Sequence, residues 1–288
     1  MVSPPPRLRV GIIGTGRAGA VIGAALRRAG HEVVGCSARG DISRVRAEAL
    51  LPGVPITDPP AVARSCDLLV LAVPDDALAS VVDAVASDVH PGQIVMHLSG
   101  RHGLGVLDPL SGVIPIAAHP VMTFTGTSLD LDRLDDCPFG VTAGHGGDSI
   151  AAALVMEMGG DPVDVADERR TLYHAALAHG ANHLVTLVAQ TLDLLAAAGV
   201  AEPERIARPL LSAALDNALR EGDRALTGPV ARADHATVRA HVEEMPDADV
   251  ERTYRALALA TVDRARALGT LSELDADALR AILSEDER

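Results

Sequence analysis

The chain contains no lysine: all 25 of its basic residues are arginine. That absence removes every mechanism built on a side-chain amine, including Schiff bases, Walker-type phosphate binding through Lys and a lysine general acid. Tryptophan is also missing, and aromatic residues make up 1% of the chain against 48% apolar residues. The core is therefore expected to be aliphatic, packed from Ala, Leu and Val. Cysteine is scarce. Cys36, Cys66 and Cys137 stand far apart with no CxxC spacing, and read as buried or incidental thiols in a reducing cytoplasm. No apolar run approaches the roughly 18 residues needed to cross a bilayer. The stretch Met1–Arg9 is Pro-rich and has no apolar signal core, so neither membrane nor export is expected. Positive charge is outweighed as well. The net charge of −14 argues against nucleic acid, whose phosphates need a basic face. A small anionic substrate stays compatible with it, since a few placed arginines and helix N-termini serve one.

What is present is an alternation. Leu8–Ile13 is a short branched apolar run ending at Gly14, followed by Ala and Leu at helical spacing over 17–29 and by Gly30 as a stop. Further strands are expected over His31–Cys36, Asp67–Val73, Gln93–Leu98, Val113–Ala118, Phe139–Ala143 and near Pro162–Val165. Helices are expected over 75–88 and from Asp148 to Met158. The texture then changes: Ala/Leu-rich helical stretches run over 168–198, 203–221, 234–244 and 247–268 with no convincing strand. These patterns predict an α/β fold, with an N-terminal Rossmann parallel-sheet domain over 1–165 and an all-helical C-terminal domain over 166–288.

The first strand runs into Gly14-Thr15-Gly16-Arg17-Ala18-Gly19, which opens the first helix. This is the context in which a GxGxxG sequence binds a dinucleotide. Gly14 allows the tight turn, Gly16 lets a pyrophosphate approach the backbone, and Gly19 lets helix pack on strand. The helix N-terminus offers free amides to the phosphates. At the tip of the second strand, where NAD sites place a carboxylate, the chain reads Gly35-Cys36-Ser37-Ala38-Arg39. A hydroxyl and a guanidinium suit a 2′-phosphate, so the expected cofactor is NADP(H). Val73 and Pro74, at the end of a strand, are placed beside the cofactor's ribose and phosphates, and Ser99 near its nicotinamide.

Catalytic candidates follow. His119 ends an apolar strand before Pro120 and, with no lysine available, is the first candidate for general acid, Ser99 the second. On the long helix, Asn182, Thr186, His179, Gln190 and His183 fall within an arc of roughly 100° on a mostly apolar helix. His179 and His183 have a spacing that suits zinc, but no acidic residue stands between them and no third ligand is evident, so no metal is expected. In the loop Thr227–Asp234, Arg232 suits a substrate carboxylate and Asp234 an N-cap for the next helix.

Taken together, GTGRAG (14–19), AVPDD (72–76), HLSG (97–100), AHP (118–120), YHAALAHGANHL (173–184) and LTGPVARAD (226–234) give the chain a resemblance over nearly its whole length. It is similar to the 6-phosphogluconate-dehydrogenase-like superfamily, which includes pyrroline-5-carboxylate reductase, 3-hydroxyisobutyrate dehydrogenase and ketopantoate reductase. It most resembles the group of Rossmann-like proteins with a DUF2520 C-terminal domain. The resemblance implies an NADP-dependent oxidoreductase, a homodimer formed through the helical domain, and a substrate-binding amide at Asn182. The lysine that hydroxyacid dehydrogenases and ordinary ketopantoate reductases use on the interdomain helix has no counterpart here, so their catalytic assignment does not transfer. The expected function is NADPH-dependent reduction of a small oxo acid, with ketopantoate to pantoate the first reaction to try, His119 protonating, Asn182 orienting and Arg232 anchoring. An imine reductase similar to pyrroline-5-carboxylate reductase and a non-catalytic NADP(H)-sensing protein are the alternatives.

Overall fold

The computed structural model describes residues 7–284, and the Pro-rich residues 1–6 lie outside that range. From the N-terminus come β1 (Arg9–Ile13), α1 (Arg17–Arg28), β2 (Glu32–Ser37), α2 (Asp41–Leu50), α3 (Pro59–Arg64), β3 (Leu68–Leu71), α4 (Asp75–Val85), β4 (Ile94–His97) and β5 (Ile114–Pro120). There follow α5 (Leu129–Arg133), β6 (Pro138–Ala143), α6 (Asp148–Glu157) and β7 (Asp161–Asp164). The last elements are α7 (Arg170–Ala197), α8 (Pro203–Glu221), α9 (His235–Glu243), α10 (Ala248–Ala267) and α11 (Glu273–Ser284). The strands form one sheet in the order β2-β1-β3-β4-β5-β6-β7. All neighbours are parallel except β5 and β6, which pair antiparallel with His119 opposite Gly140. The expected α/β class is the one observed.

The sequence of β3, Leu68-Leu69-Val70-Leu71, explains why the sheet is covered on both faces. Side chains alternate across a strand, so an unbroken apolar run feeds two cores at once. Leu68 and Val70 join α1 and α6 in one layer, and Leu69 and Leu71 join α3 and α4 in the other. Both layers are aliphatic as expected, with Phe139 a fully buried exception in the first.

Four helices were not evident in the pattern, for different reasons. The ten residues of α2 bury only Ala47, so no apolar period shows. α3 is six residues opened by Pro59-Pro60, with Asp58 accepting from Ala61 N at 2.7 Å, and α5 is five residues long. α11 lies beyond Gly269, where the pattern reading ended. It buries Ala276, Leu279, Ile282 and Leu283 and is started by Ser272 Oγ, which accepts from Asp275 N at 3.1 Å.

The chain divides into two compact units, through His179 and from Gly180, and the division falls inside α7. In the second unit α9, α10 and α11 share a small core around Val238, Val262 and Leu279. α8, by contrast, buries only Ala207 of its 19 residues and leaves Ile206, Leu210 and Leu219 exposed, as α7 leaves Val185. A cavity of about 340 Å³ is lined by Leu187, Gln190 and Leu194 of α7 and by Thr253, Tyr254 and Leu257 of α10. Beside it His241 Nδ1 meets Tyr254 Oη at 2.9 Å. Among the described residues no helix is long and apolar enough to cross a membrane.

Candidate active site

The glycine loop between β1 and α1 has the backbone that its sequence requires. Gly14 has φ +95°, and a Cβ on it would stand 2.5 Å from the Ala72 carbonyl oxygen. A Cβ on Gly19 would stand 2.0 Å from the Gly14 carbonyl oxygen, so helix and loop touch backbone to backbone. At Gly16 the same construction meets nothing within 4 Å, which is open space at the mouth of α1. Gly16 is the N-cap, with no side-chain cap and no acidic residue in the first turn, so the first amides of Arg17 and Ala18 have no competitor for an anion. Thr15 is buried and ties the loop to its surroundings: its amide donates to the Ser37 carbonyl at 3.1 Å, and its hydroxyl lies 3.0 Å from the Ser43 carbonyl.

A cavity of about 620 Å³ opens here, lined by Gly14, Thr15, Gly16, Ser37, Arg39, Val73 and Pro74 among others. Ser43 and Arg44 of α2 also line it, and neither was singled out from sequence, because α2 itself carried no periodic signal. Ser37 Oγ accepts from the Gly14 amide at 3.2 Å, which leaves the hydroxyl's own hydrogen to donate. Neither Arg39 nor Arg44 forms an ion pair among the described residues, although the Asp58 carboxylate also lines this cavity. The loop after β5 approaches from another side. A Cβ on Gly126 would stand 3.1 Å from Arg17 Cα, and the loop is pinned by Asp130, which accepts from the amides of Thr125 and Gly126 at 2.7 Å each. Burial opposes ionisation of Asp130, but these hydrogen bonds outweigh it and hold the carboxyl below the usual range.

A second cluster gathers where β4 and β5 end and the antiparallel β6 begins. His97, fully buried, accepts from Ser99 N on Nδ1 at 3.2 Å, so its hydrogen sits on Nε2, 3.3 Å from the Gly103 carbonyl. Ser99 Oγ accepts from His102 N at 3.2 Å, and His102 Nε2 meets the Asp75 carbonyl at 3.1 Å. The HLSG turn is thereby fastened to the start of α4. His119 meets Tyr173 Oη through Nδ1 at 3.0 Å, and its ring stands edge-on to Tyr173 and to His174, 5.7 and 6.0 Å between centroids. Gly100 makes this packing possible, since a Cβ there would stand 2.6 Å from His174 Cδ2 and 3.0 Å from His119 Nε2.

Arg170 closes the cluster. It is fully buried, while its neighbour Arg169 is exposed. Nη2 donates to the Ser99 carbonyl at 2.8 Å, and Nη1 donates to Thr142 Oγ1 at 2.9 Å and to the Gly140 carbonyl at 3.3 Å. No carboxylate pairs with it among the described residues, and its Nε is buried without a partner.

Of the residues expected from sequence, His119 and Ser99 join this cluster, and the glycine loop, Ser37, Arg39, Val73 and Pro74 surround the neighbouring cavity. Asn182 and Arg232 are both exposed and lie in the second unit. Asp234 caps α9 as expected, accepting from Thr237 N at 3.1 Å. Arg170 and Tyr173 were missed. Nothing in a run reading Glu168-Arg169-Arg170 distinguishes the buried arginine from the exposed one. Tyr173, although inside a motif already noted, was not weighed as a reactive group.

Burial first, and then Arg170, pushes His97 down to about 3. Burial, then His174 and Arg170, pushes His119 down to about 4. An unfolded histidine binds its proton near 6.5. The folded state therefore holds fewer protons than the unfolded chain below pH 6.5. The stability these two rings contribute is complete above that pH and is lost as pH falls towards 4 and then 3. Urea unfolding is expected to weaken between pH 6 and pH 4.5 by up to about 1.4 kcal/mol per pH unit for each ring. A flat profile, or either ring titrating near 6.5 by NMR, contradicts the burial described.

Residues 2–120 match the family described as Rossmann-like domain, and residues 137–261 match the domain of unknown function DUF2520. No curated protein matches the chain. Among solved structures it is similar to a Bacteroides fragilis protein that carries the name NADP oxidoreductase, with 20% identity and TM-score 0.73 over 88% of this chain and 98% of that one. A Thermotoga maritima protein has 21% identity and TM-score 0.68 over 90% and 99%. The pyrroline carboxylate reductase of Plasmodium falciparum, solved with NADP bound, has 11% identity and TM-score 0.54 over 96% and 98%. At these identities the likeness is one of fold. With the two domains matched in this order, the chain belongs to the Rossmann-like/DUF2520 family.

Proposed function

We propose that this protein is an NADP(H)-dependent oxidoreductase that reduces a small oxo acid, with ketopantoate to pantoate as the first reaction to try. The observation that carries the reading is one of position. A histidine held neutral, His119, stands at the strand ends of the same unit whose glycine loop opens an uncapped helix onto a cavity of about 620 Å³. The fit to a dinucleotide rests on the open space at Gly16, the free first turn of α1 and the unpaired Arg39 and Arg44. Gly14 to Gly19 would hold the pyrophosphate, and Ser37, Arg39 and Arg44 the 2′-phosphate. When bound, the reduced cofactor supplies a hydride to the carbonyl carbon. His119 delivers a proton to the carbonyl oxygen, with Ser99 beside it as a positioning group. Asn182 and Arg232, from the second unit, are proposed to orient the substrate and anchor its carboxylate. A small anion stays compatible with the net charge of −14, since a few placed guanidiniums serve one.

We also propose a homodimer through the second unit. The exposed Ile206, Leu210 and Leu219 of α8 and Val185 of α7 support it, because a helix that buries one residue gains little packing to hold it.

Three outcomes test these readings. Arg39→Ala and Arg44→Ala are each expected to weaken NADPH binding by about tenfold or more, with NADH affected less than threefold. Equal losses for both cofactors by calorimetry would remove the 2′-phosphate assignment. Ketopantoate, other 2-oxo acids and pyrroline-5-carboxylate, each mixed with NADPH, are expected to show oxidation of the cofactor for an oxo acid. Oxidation with the imine alone would move the reading to imine reduction, and none with any, while NADPH binds, would leave a sensor. Sedimentation equilibrium at micromolar concentration is expected to give a dimer that Leu210→Glu/Leu219→Glu converts to monomer. A monomeric parent chain sinks that proposal.

A further inference from the structure

Arg170, Tyr173 and His174 stand at i, i+3 and i+4 at the start of α7, so they share one face of the helix. That face meets His119 on β5 and Gly140 on β6, which are paired across the antiparallel step of the sheet. Tyr173 Oη lies 3.0 Å from His119 Nδ1. It also lies so close to Gly140 that a Cβ there would stand 2.3 Å from it. Gly140 is paired with His119 in the ladder between β5 and β6, and its carbonyl also accepts from Arg170. Phenol is the stronger acid of the two neutral rings, so the phenol's own hydrogen is directed to His119 Nδ1. The neutral imidazole then carries its hydrogen on Nε2. Glycine at position 100 keeps the approach to Nε2 free of a side chain.

Arg170 fits the other end of this chain. A charge out of water is costly unless something answers it, yet Arg170 has only carbonyls and a hydroxyl for partners. Its guanidinium stands 5.9 Å from the Tyr173 ring centroid. Burial raises the pKa of the Tyr173 phenol, and Arg170 offsets part of that rise. A buried cation with no carboxylate in direct contact, although Asp167 acts on it from a distance, leaves room for the charge of a phenolate.

We propose that Tyr173 and Arg170 form a proton relay behind His119, in which the phenol recharges the imidazole and the guanidinium answers the phenolate that results. This rests on the oxo-acid reduction proposed above. As the carbonyl carbon takes a hydride from the reduced nicotinamide, the C=O pair moves onto oxygen. The Nε2–H bond breaks and the O–H bond forms. Nδ1 gains the phenol hydrogen, and the site resets when solvent protonates Nε2 and Nδ1 returns its hydrogen to the phenolate. The imidazole is neutral before and after. That matches a ring kept from protonation by burial, by His174 and by Arg170, with Asp75 pulling weakly the other way. Neutral imidazole is a competent donor at a carbonyl. Tyr173 and Arg170 act through His119 and are positioning residues, whereas His119 is the catalytic one.

Tyr173→Phe keeps the ring and removes the relay. ¹⁵N NMR of the intact, ligand-free protein is expected to show His119 with its hydrogen on Nε2, and Tyr173→Phe is expected to lose that single tautomer while keeping its melting temperature. With an oxo acid that turns over, Tyr173→Phe is expected to lower kcat by about 100-fold with KM changed less than threefold. Arg170→Met added to Tyr173→Phe is expected to cost little more, and Arg170→Lys to retain more rate than Arg170→Met. A hydrogen on Nδ1 in the parent protein overturns the relay whatever the activity, as does a Tyr173→Phe variant at full rate. No turnover of any oxo acid, with the Nε2 tautomer observed, sinks the reductase reading and the relay's use with it.

Discussion

The guanidinium of Arg170 lies beneath the protein surface with three oxygen acceptors and no carboxylate, and the chemistry of the first unit is arranged around it. Ser99 follows β4, Gly140 and Thr142 are on β6, and β5 runs between those strands in the sheet. One side chain therefore clamps the two flanking strands across the strand that carries His119. A lysine has one ammonium and no planar fork, and it does not reach three acceptors in two directions. Burial first, then His174, keep the His119 imidazole neutral, and the charge that fixes the strands adds to them.

The glycine loop shows a different economy. Gly14 and Gly19 are required by close backbone approach, and Gly16 by the space it leaves. None of the three contributes a side chain, so the anion site is made of amides and a helix end. The side chains that give it selectivity come from elsewhere: Ser37 from the tip of β2, Arg39 from the turn after it and Arg44 from α2. Ser37 serves both functions, since its oxygen accepts from the loop while its hydrogen remains available.

The fold was legible because its signals are local. The unbroken apolar run of β3, the glycines around α1 and the Ala/Leu period of α7 each announce an element without reference to partners. α2 was hidden because it buries a single residue, and α3 and α5 because they are shorter than two helical turns. Half of the reactive cluster was legible too. His119 and Ser99 could be singled out because strand ends at the carboxyl edge are where ligands of parallel sheets bind. Arg170 and Tyr173 could not, because their importance lies in contacts 30 to 70 residues away along the chain. Arg169 and Arg170 are identical in type and adjacent, and only the folded chain separates them into one exposed and one buried.

The chain's poverty in aromatic rings gives it an optical simplicity. It has two tyrosines and no tryptophan, and the two phenols fall one to each unit, Tyr173 in the first and Tyr254 in the second. Each is tied to the Nδ1 atom of a histidine, His119 at 3.0 Å and His241 at 2.9 Å. Near-ultraviolet absorption and emission from this protein therefore come from two matched phenol–imidazole pairs. Replacing either tyrosine with phenylalanine leaves a single chromophore reporting on one half of the molecule, and no indole band overlaps the fluorescence of a reduced nicotinamide.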